Sequence, residues 1–339
     1  MRPFLYQRAQ AADAAVRAAS VPADAHVTSP VQYLAGGTSL IDLMKLDVMR
    51  PTAVVDITSI AHPAMSAIQA TGSGLRIGAL VTMADAERHD VIVRDYPVLA
   101  ESLHLAASAQ LRNMARLGGN LLQRTRCSYF RDTTWLACNK RNPGSGCAAL
   151  AGVNRAHAVL GASEACIATY AGDFAQALVA LDALIETLGP NGPRVLPIAE
   201  LHRAPGAQPH IETTLQPGEL ITAILVPAGP WTRRSTFVKV RDRESYEFAL
   251  ASAAVAVDLD GERRVTQARI GLGGVATIPW RAREAENRLR GRILDDTSTA
   301  EAAEAAFATA TPLAHNAFKV PLGKATVIRA LLKARDMEV

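Results

Sequence analysis

The chain changes character near residue 230, and that change limits what it can fold into. Before it, short β-branched runs alternate with segments of helical periodicity, the pattern of a mixed α/β region. After it, "TFVKV" and "FALASAAVAVDLD" alternate residue by residue, as strands of an antiparallel sheet do. Two domains are therefore expected, 1–228 and 229–339. A chain of 339 residues is long enough for two or three cores. Apolar residues at 49% and charged residues at 20% supply the interior and argue against an extended disordered chain.

In the first region, the run Val31 to Ala35 ends at Gly36-Gly37 and is followed by "TSLIDLMKLDVMRP". The order reads strand, tight glycine turn, then a helix ended before Pro51. "AVVDIT" (53–58) and "LRIGAL" (75–80) read as strands, and helical periodicity starts from an N-cap at Thr82. A second Gly-Gly pair, at 118–119, leads into a loop rich in Arg, Lys, Asn, Pro and Gly. "DFAQALVALDALIETLG" then resumes an apolar pattern, so the stretch at about 124–167 is an insertion into a continuing domain. "GELITAILVPAG" (218–229) closes that domain as a strand. Beyond it, "ARIGLGGVATIPWRAREAENRLR" adds strand, glycine turn and helix, and the Ala-rich tail holds two helical stretches.

Several function classes are disfavoured. The net charge of +4 is spread without a basic block, so nucleic-acid binding has little support. No window approaches 18 uninterrupted apolar residues, and the opening "MRPFLYQRAQ" lacks the apolar core of a secretory signal. Neither a membrane span nor self-directed export is expected. No GxGxxG, Ser-His-Asp or paired-carboxylate pattern is legible. "DRESYEF" reads as a solvated turn, and His104 and His157 as satisfied core or surface histidines.

Three features carry chemistry. Gly36-Gly37 with Thr38 and Ser39 is suited to cradle a pyrophosphate, because glycine admits close backbone approach and N–H and hydroxyl groups donate to anionic oxygens. Gly118, Gly119 and Asn120 repeat that chemistry with a side-chain amide; either pair alone is also an ordinary turn. The cysteines, Cys127, Cys138, Cys147 and Cys166, are spaced C-x10-C-x8-C-x18-C, which matches no zinc finger. Spacing leaves an iron–sulfur cluster, zinc, disulfides and free thiols all open. Arg124, Arg126, Arg131, Lys140 and Arg141 are candidates to offset a cluster's negative charge.

"AGGTSLIDLMK", "LRIGAL", "QLRNMARLGGNLLQ", "KVRDRESYEFALASAAVAV" and "LGGVATIPWRAREAE" together resemble the FAD-binding medium subunit of the molybdenum hydroxylases, the xanthine and carbon monoxide dehydrogenase family. With "NKRNPGSGCAAL" and "SEACIAT", the chain is most similar to the FAD and [4Fe–4S] subunits of bacterial periplasmic-type aldehyde oxidoreductases. The resemblance implies an α+β fold: a two-part FAD-binding domain of the vanillyl-alcohol-oxidase type, then a small α+β domain with an antiparallel sheet. It places Leu34, Ala35, Gly36, Gly37, Thr38, Ser39 and Leu40 on a first pyrophosphate loop and Gly118, Gly119 and Asn120 on a second. It puts Asp173 near the adenosine ribose, Ile221 and Lys239 near the isoalloxazine, and the four cysteines around one [4Fe–4S] cluster. Two departures stand out: Arg116 and Leu117 precede the second loop where a small or hydroxyl residue is usual, and "TYAGDF" replaces a His-Pro-Ser-Asp run.

The resemblance further implies a hetero-oligomer. A large partner would hold a molybdopterin cofactor and oxidise an aldehyde or xanthine-like substrate, and a small partner would hold two [2Fe–2S] clusters. This chain would pass electrons through FAD to an external acceptor. Co-export with a signal-bearing partner would bring it to the periplasm; the alternative is the cytoplasm. The other enzyme class in view is a self-sufficient reductase resembling UDP-N-acetylmuramate dehydrogenase.

Overall fold

The computed structural model describes residues 1–339. Its first layer is a parallel sheet in which β1 (Leu5–Arg8), β2 (Val31–Leu34) and β3 (Ala53–Asp56) lie in the order β1-β3-β2. Parallel neighbours need crossovers, and α1 (Ala12–Ala19) and α2 (Leu40–Lys45) provide them. On α1, Ala15, Val16 and Ala19 form one buried stripe, and Ala15 and Val16 pack with Val55, Ile57 and Leu220. The helix α2 stops well before Pro51. Asp47 turns to φ 58°, and the N–H groups of Val48 and Met49 fold back onto the Leu43 carbonyl.

The second layer is a five-stranded antiparallel sheet. Strands β4 (Ile68–Thr71) and β5 (Gly74–Gly78) come first, followed by α3 (Met83–Arg88), α4 (Asp90–Asp95), α5 (Pro97–His104), α6 (Ala109–Met114) and α7 (Leu117–Leu121). Thr82 caps α3, its hydroxyl oxygen accepting from the Asp85 N–H at 2.9 Å. The periodicity that begins there is cut at His89 and Tyr96, where the backbone leaves the helical region and Pro97 opens α5. The Gly118-Gly119-Asn120 stretch, expected as a turn, is itself helical. After the single turn α8 (Ser128–Arg131) and a long irregular stretch come α9 (Phe174–Ala180), β6 (Leu184–Gly189), β7 (Gly192–Pro197), α10 (Ile198–Leu201) and β8 (Leu220–Pro227). The sheet order is β4-β5-β8-β6-β7.

The third layer is β9 (Ser235–Val240), β10 (Ala251–Leu259), β11 (Val265–Gly273) and β12 (Trp280–Arg281), antiparallel in the order β12-β11-β10-β9, with α11 (Arg283–Leu289), α12 (Asp296–Ala306) and α13 (Lys319–Arg335). Residues Ala251–Val257 of β10 are buried on both faces, so its alternation is not apolar against polar. Ala254 and Ala256 join the core containing Leu99 and Phe174, whereas Ala253, Val255 and Val257 join Val327 and Leu331 of α13. The alanines let the earlier helices approach closely. Phe237 belongs to the same first core, so the small C-terminal unit is built into the interior of the first. Glu101 ties them further, its carboxylate accepting from the Phe237 N–H and the Thr236 hydroxyl, both at 2.6 Å. No helix is long and apolar enough to cross a membrane.

Candidate functional site

Elements of all three layers line a cleft of about 540 Å³. The loop after β2 forms one wall. Gly36 is required by packing: a Cβ there would lie 2.0 Å from the Met114 carbonyl oxygen. Gly37 is required by conformation, with φ +73°. The backbone N–H groups of Gly36, Gly37, Thr38, Ser39 and Leu40 have no acceptor within the protein. Five consecutive free donors facing a cleft are an anion-binding surface. Leu34 does not line the cleft, whereas Gln32, Tyr33 and Ala35 do.

The opposite wall is α7. Gly118 packs on Ala79, where a Cβ would meet the Ala79 Cβ at 2.9 Å. Gly119 differs: a Cβ there would meet no protein atom within 4 Å, and its N–H is unpartnered. Asn120 Oδ1 is buried without a hydrogen-bond partner, as is Nε of Arg116, whose Nη1 donates to the Leu80 carbonyl at 3.1 Å. Buried polar atoms are rarely left unpaired, so both residues point to a ligand in the cleft.

Asp173 and Lys239 form a buried ion pair of 2.7 Å on the cleft wall. Burial pushes the Asp173 carboxyl up, against the pull of the Lys239 ammonium. Lys239 Nζ also donates to the Leu105 carbonyl at 3.0 Å, which leaves one of its three N–H groups for the cleft. Asp173, expected near the adenosine ribose, and Lys239, expected near the isoalloxazine, are thus in contact on one stretch of the wall. Ile221 lines the same cleft.

Residues read as a solvated turn also reach it. Arg243, Tyr246, Glu247 and Phe248 line the cleft, with Tyr246 in the left-handed region at φ 54° and the Arg126 guanidinium 4.8 Å over the Phe248 ring. Two aromatics among charged residues were the available signal.

The four cysteines, none in a disulfide, line a second, small cavity together with His157 and Lys140. Cys138 and Cys147 bridge antiparallel backbones, and Cys166 bridges Ser163 in a turn. Burial pushes the Cys127 thiol up to about 12 and that of Cys166 up to about 11. The basic residues expected to offset a cluster are mostly engaged elsewhere. Arg126 and Arg131 pair with Asp42 at 3.1 and 2.8 Å, and Arg124 and Lys140 with Glu212 at 2.8 and 3.3 Å. Arg141 caps the carbonyls of Tyr129 and Phe130. Only Lys140 borders the cavity. His104 is a surface residue bonded to Glu87 at 2.7 Å, but His157 lies 3.1 Å from Cys127 Sγ.

Residues 2–229 match the family described as the FAD binding domain in molybdopterin dehydrogenase, and 236–334 match the CO dehydrogenase flavoprotein C-terminal domain. The chain belongs to the molybdopterin dehydrogenase flavoproteins. It is 46% identical over 99% of both chains to the aldehyde oxidoreductase FAD-binding subunit PaoB of Escherichia coli. It is 30% identical to the carbon monoxide dehydrogenase medium chain of Afipia carboxidovorans, over 82% of this chain and 78% of that one. Among solved structures, the reconstituted CO dehydrogenase from Oligotropha carboxidovorans superposes with a TM-score of 0.75 at 25% identity, covering 99% of each chain. This flavoprotein family consists of oxidoreductases, and the free N–H row, the open face of Gly119 and the unpartnered Asn120 oxygen fit FAD.

Proposed function

We propose that this chain is the FAD-carrying subunit of a heteromeric, molybdenum-dependent aldehyde oxidoreductase, and that Cys127, Cys138, Cys147 and Cys166 hold a [4Fe–4S] cluster. The first part is supported by similarity over nearly the whole length to an aldehyde oxidoreductase FAD-binding subunit. FAD, when bound, takes single electrons from the iron–sulfur centres of a partner and delivers them in pairs to an external acceptor. The large partner would carry molybdopterin and the small one two [2Fe–2S] clusters.

Residues Gly36 to Leu40 and Gly119 present N–H groups to the pyrophosphate, and the Asn120 amide oxygen accepts from the ligand. Lys239 holds a positive charge at the wall, neutralised by Asp173, with one N–H free to donate. Tyr246 and Phe248 offer aromatic surface to the ligand from the cleft wall.

The observation that carries the cluster assignment is the cysteine cavity. Four unpaired thiols border one space, the ligand number and type that a [4Fe–4S] cluster takes. The two sites also adjoin, since Arg124 and Arg126 line the FAD cleft and Cys127 the cysteine cavity. Anaerobic isolation of the native complex tests the reading. Flavin, molybdenum and aldehyde oxidation in one assembly are expected. A chain that turns over NADPH without partners would overturn it in favour of a self-sufficient reductase.

A further inference from the structure

His157 is 3% exposed and borders the cavity of the four cysteines. Its Nε2 lies 3.1 Å from Cys127 Sγ, while its Nδ1 is buried with no partner at all. A neutral imidazole carries one N–H. On Nδ1 that hydrogen would be a buried, unpaired donor, and the Nε2 lone pair would face the thiolate of a cluster-ligating Cys127. On Nε2 it meets the sulfur and leaves only an acceptor unsatisfied. The second tautomer is the cheaper one.

The backbone of His157 is held from two sides. The His157 N–H donates to the Asn154 carbonyl at 3.0 Å, and Asn154 Oδ1 accepts from the His315 N–H at 3.0 Å. Asn316 Nδ2 donates to the carbonyls of His157 and Ala158 at 3.4 and 3.1 Å. Residues 315–316, from the C-terminal unit, thus clamp a position inside the cysteine-bearing stretch. Of the other cysteines, Cys166 receives only a long bond from the Ala168 N–H, 3.5 Å. Cys127 is therefore the sulfur with a side-chain donor, and it is next in sequence to Arg126 on the FAD cleft.

We propose that His157 is a positioning residue that donates an N–H···S hydrogen bond from Nε2 to Cys127 and thereby raises the reduction potential of the [4Fe–4S] cluster. The inference rests on the cluster assignment above. A donor to a ligand sulfur favours the reduced, more negative state, and this one acts on the ligand beside the flavin.

EPR-monitored redox titration of the anaerobic complex tests it in two variants. His157→Phe keeps the ring volume and loses the donor, so the cluster midpoint shifts to more negative potential while cluster iron and the flavin midpoint stay unchanged. His157→Gln keeps a donor at the position of Nε2 and restores most of the shift. An unchanged midpoint in His157→Phe with its iron intact overturns the proposal. Pulsed EPR of the unsubstituted complex labelled with ¹⁵N-histidine reads the same contact without a substitution. A weak nitrogen coupling is expected; no coupling refutes the bond, and a strong one makes His157 an iron ligand and refutes the proposal too. A cluster of normal iron content with no histidine coupling removes this inference alone. An unsubstituted complex in which these cysteines carry no iron removes the cluster reading with it.

Discussion

Replacing Gly119 with alanine separates what the fold needs from what the ligand needs. A Cβ at Gly119 meets no protein atom within 4 Å, and the residue sits inside the short helix α7. Alanine gains about 1 kcal/mol of helix propensity over glycine, so the flavin-free chain becomes more stable, by the order of 1–3 °C in Tm for a protein of this size. The methyl group then projects at the cleft wall, where FAD is proposed to lie. An added carbon in a packed contact costs about 1–3 kcal/mol, which weakens FAD roughly 5- to 150-fold. Stability and affinity therefore move in opposite directions. Gly36→Ala behaves otherwise: its Cβ would be 2.0 Å from the Met114 carbonyl oxygen, so backbone must move and both quantities fall. The assay is FAD titration of the deflavinated complex by fluorescence quenching, with thermal melts of the same samples. If Gly119→Ala binds FAD within about twofold of the parent, the second loop does not hold the cofactor.

Glu212 makes stability pH-dependent. Burial opposes its charge, but Arg124 and Lys140 outweigh it and hold the carboxyl down to about 2. Because that value lies below the ordinary 4.5, its contribution is complete above pH 4.5 and is lost as pH falls towards 2. It is worth roughly 3 kcal/mol, and Glu212→Gln should flatten this limb in denaturant melts from pH 2 to 6. Asp173→Asn leaves Lys239 buried with a neutral partner, and urea denaturation should show a loss of about 3 kcal/mol. Cys166→Ala should abolish the cluster's visible absorbance and EPR signal while full flavin absorbance remains; simultaneous loss of flavin would show that the cleft depends on the cluster.

The parts of the fold legible beforehand are those that backbone chemistry writes into neighbouring residues. Gly37 needs its positive φ, Thr82 caps the helix after it, and the change to residue-by-residue alternation after 230 reflects β9 and β10. What was not legible depends on residues distant in sequence. The basic residues around the cysteines were read as counter-charges, but Asp42 and Glu212 arrive from other elements to pair with them. Asp173 and Lys239 are 66 positions apart, and nothing local foretells their contact. Alternation in β10 says nothing of the helices that bury both of its faces. His157 is a core histidine by context, and only the folded chain brings its Nε2 to a cysteine 30 positions away.

The central claim is that one chain holds FAD and a [4Fe–4S] cluster in adjoining sites. Iron, acid-labile sulfide and FAD measured per chain in the anaerobically purified flavoprotein, with a Mössbauer spectrum of the same sample, test it most directly. One FAD and about four irons and four sulfides per chain are expected, with the quadrupole doublet of a cubane cluster. Stoichiometric zinc, or one FAD with no iron and four titratable thiols, would contradict it.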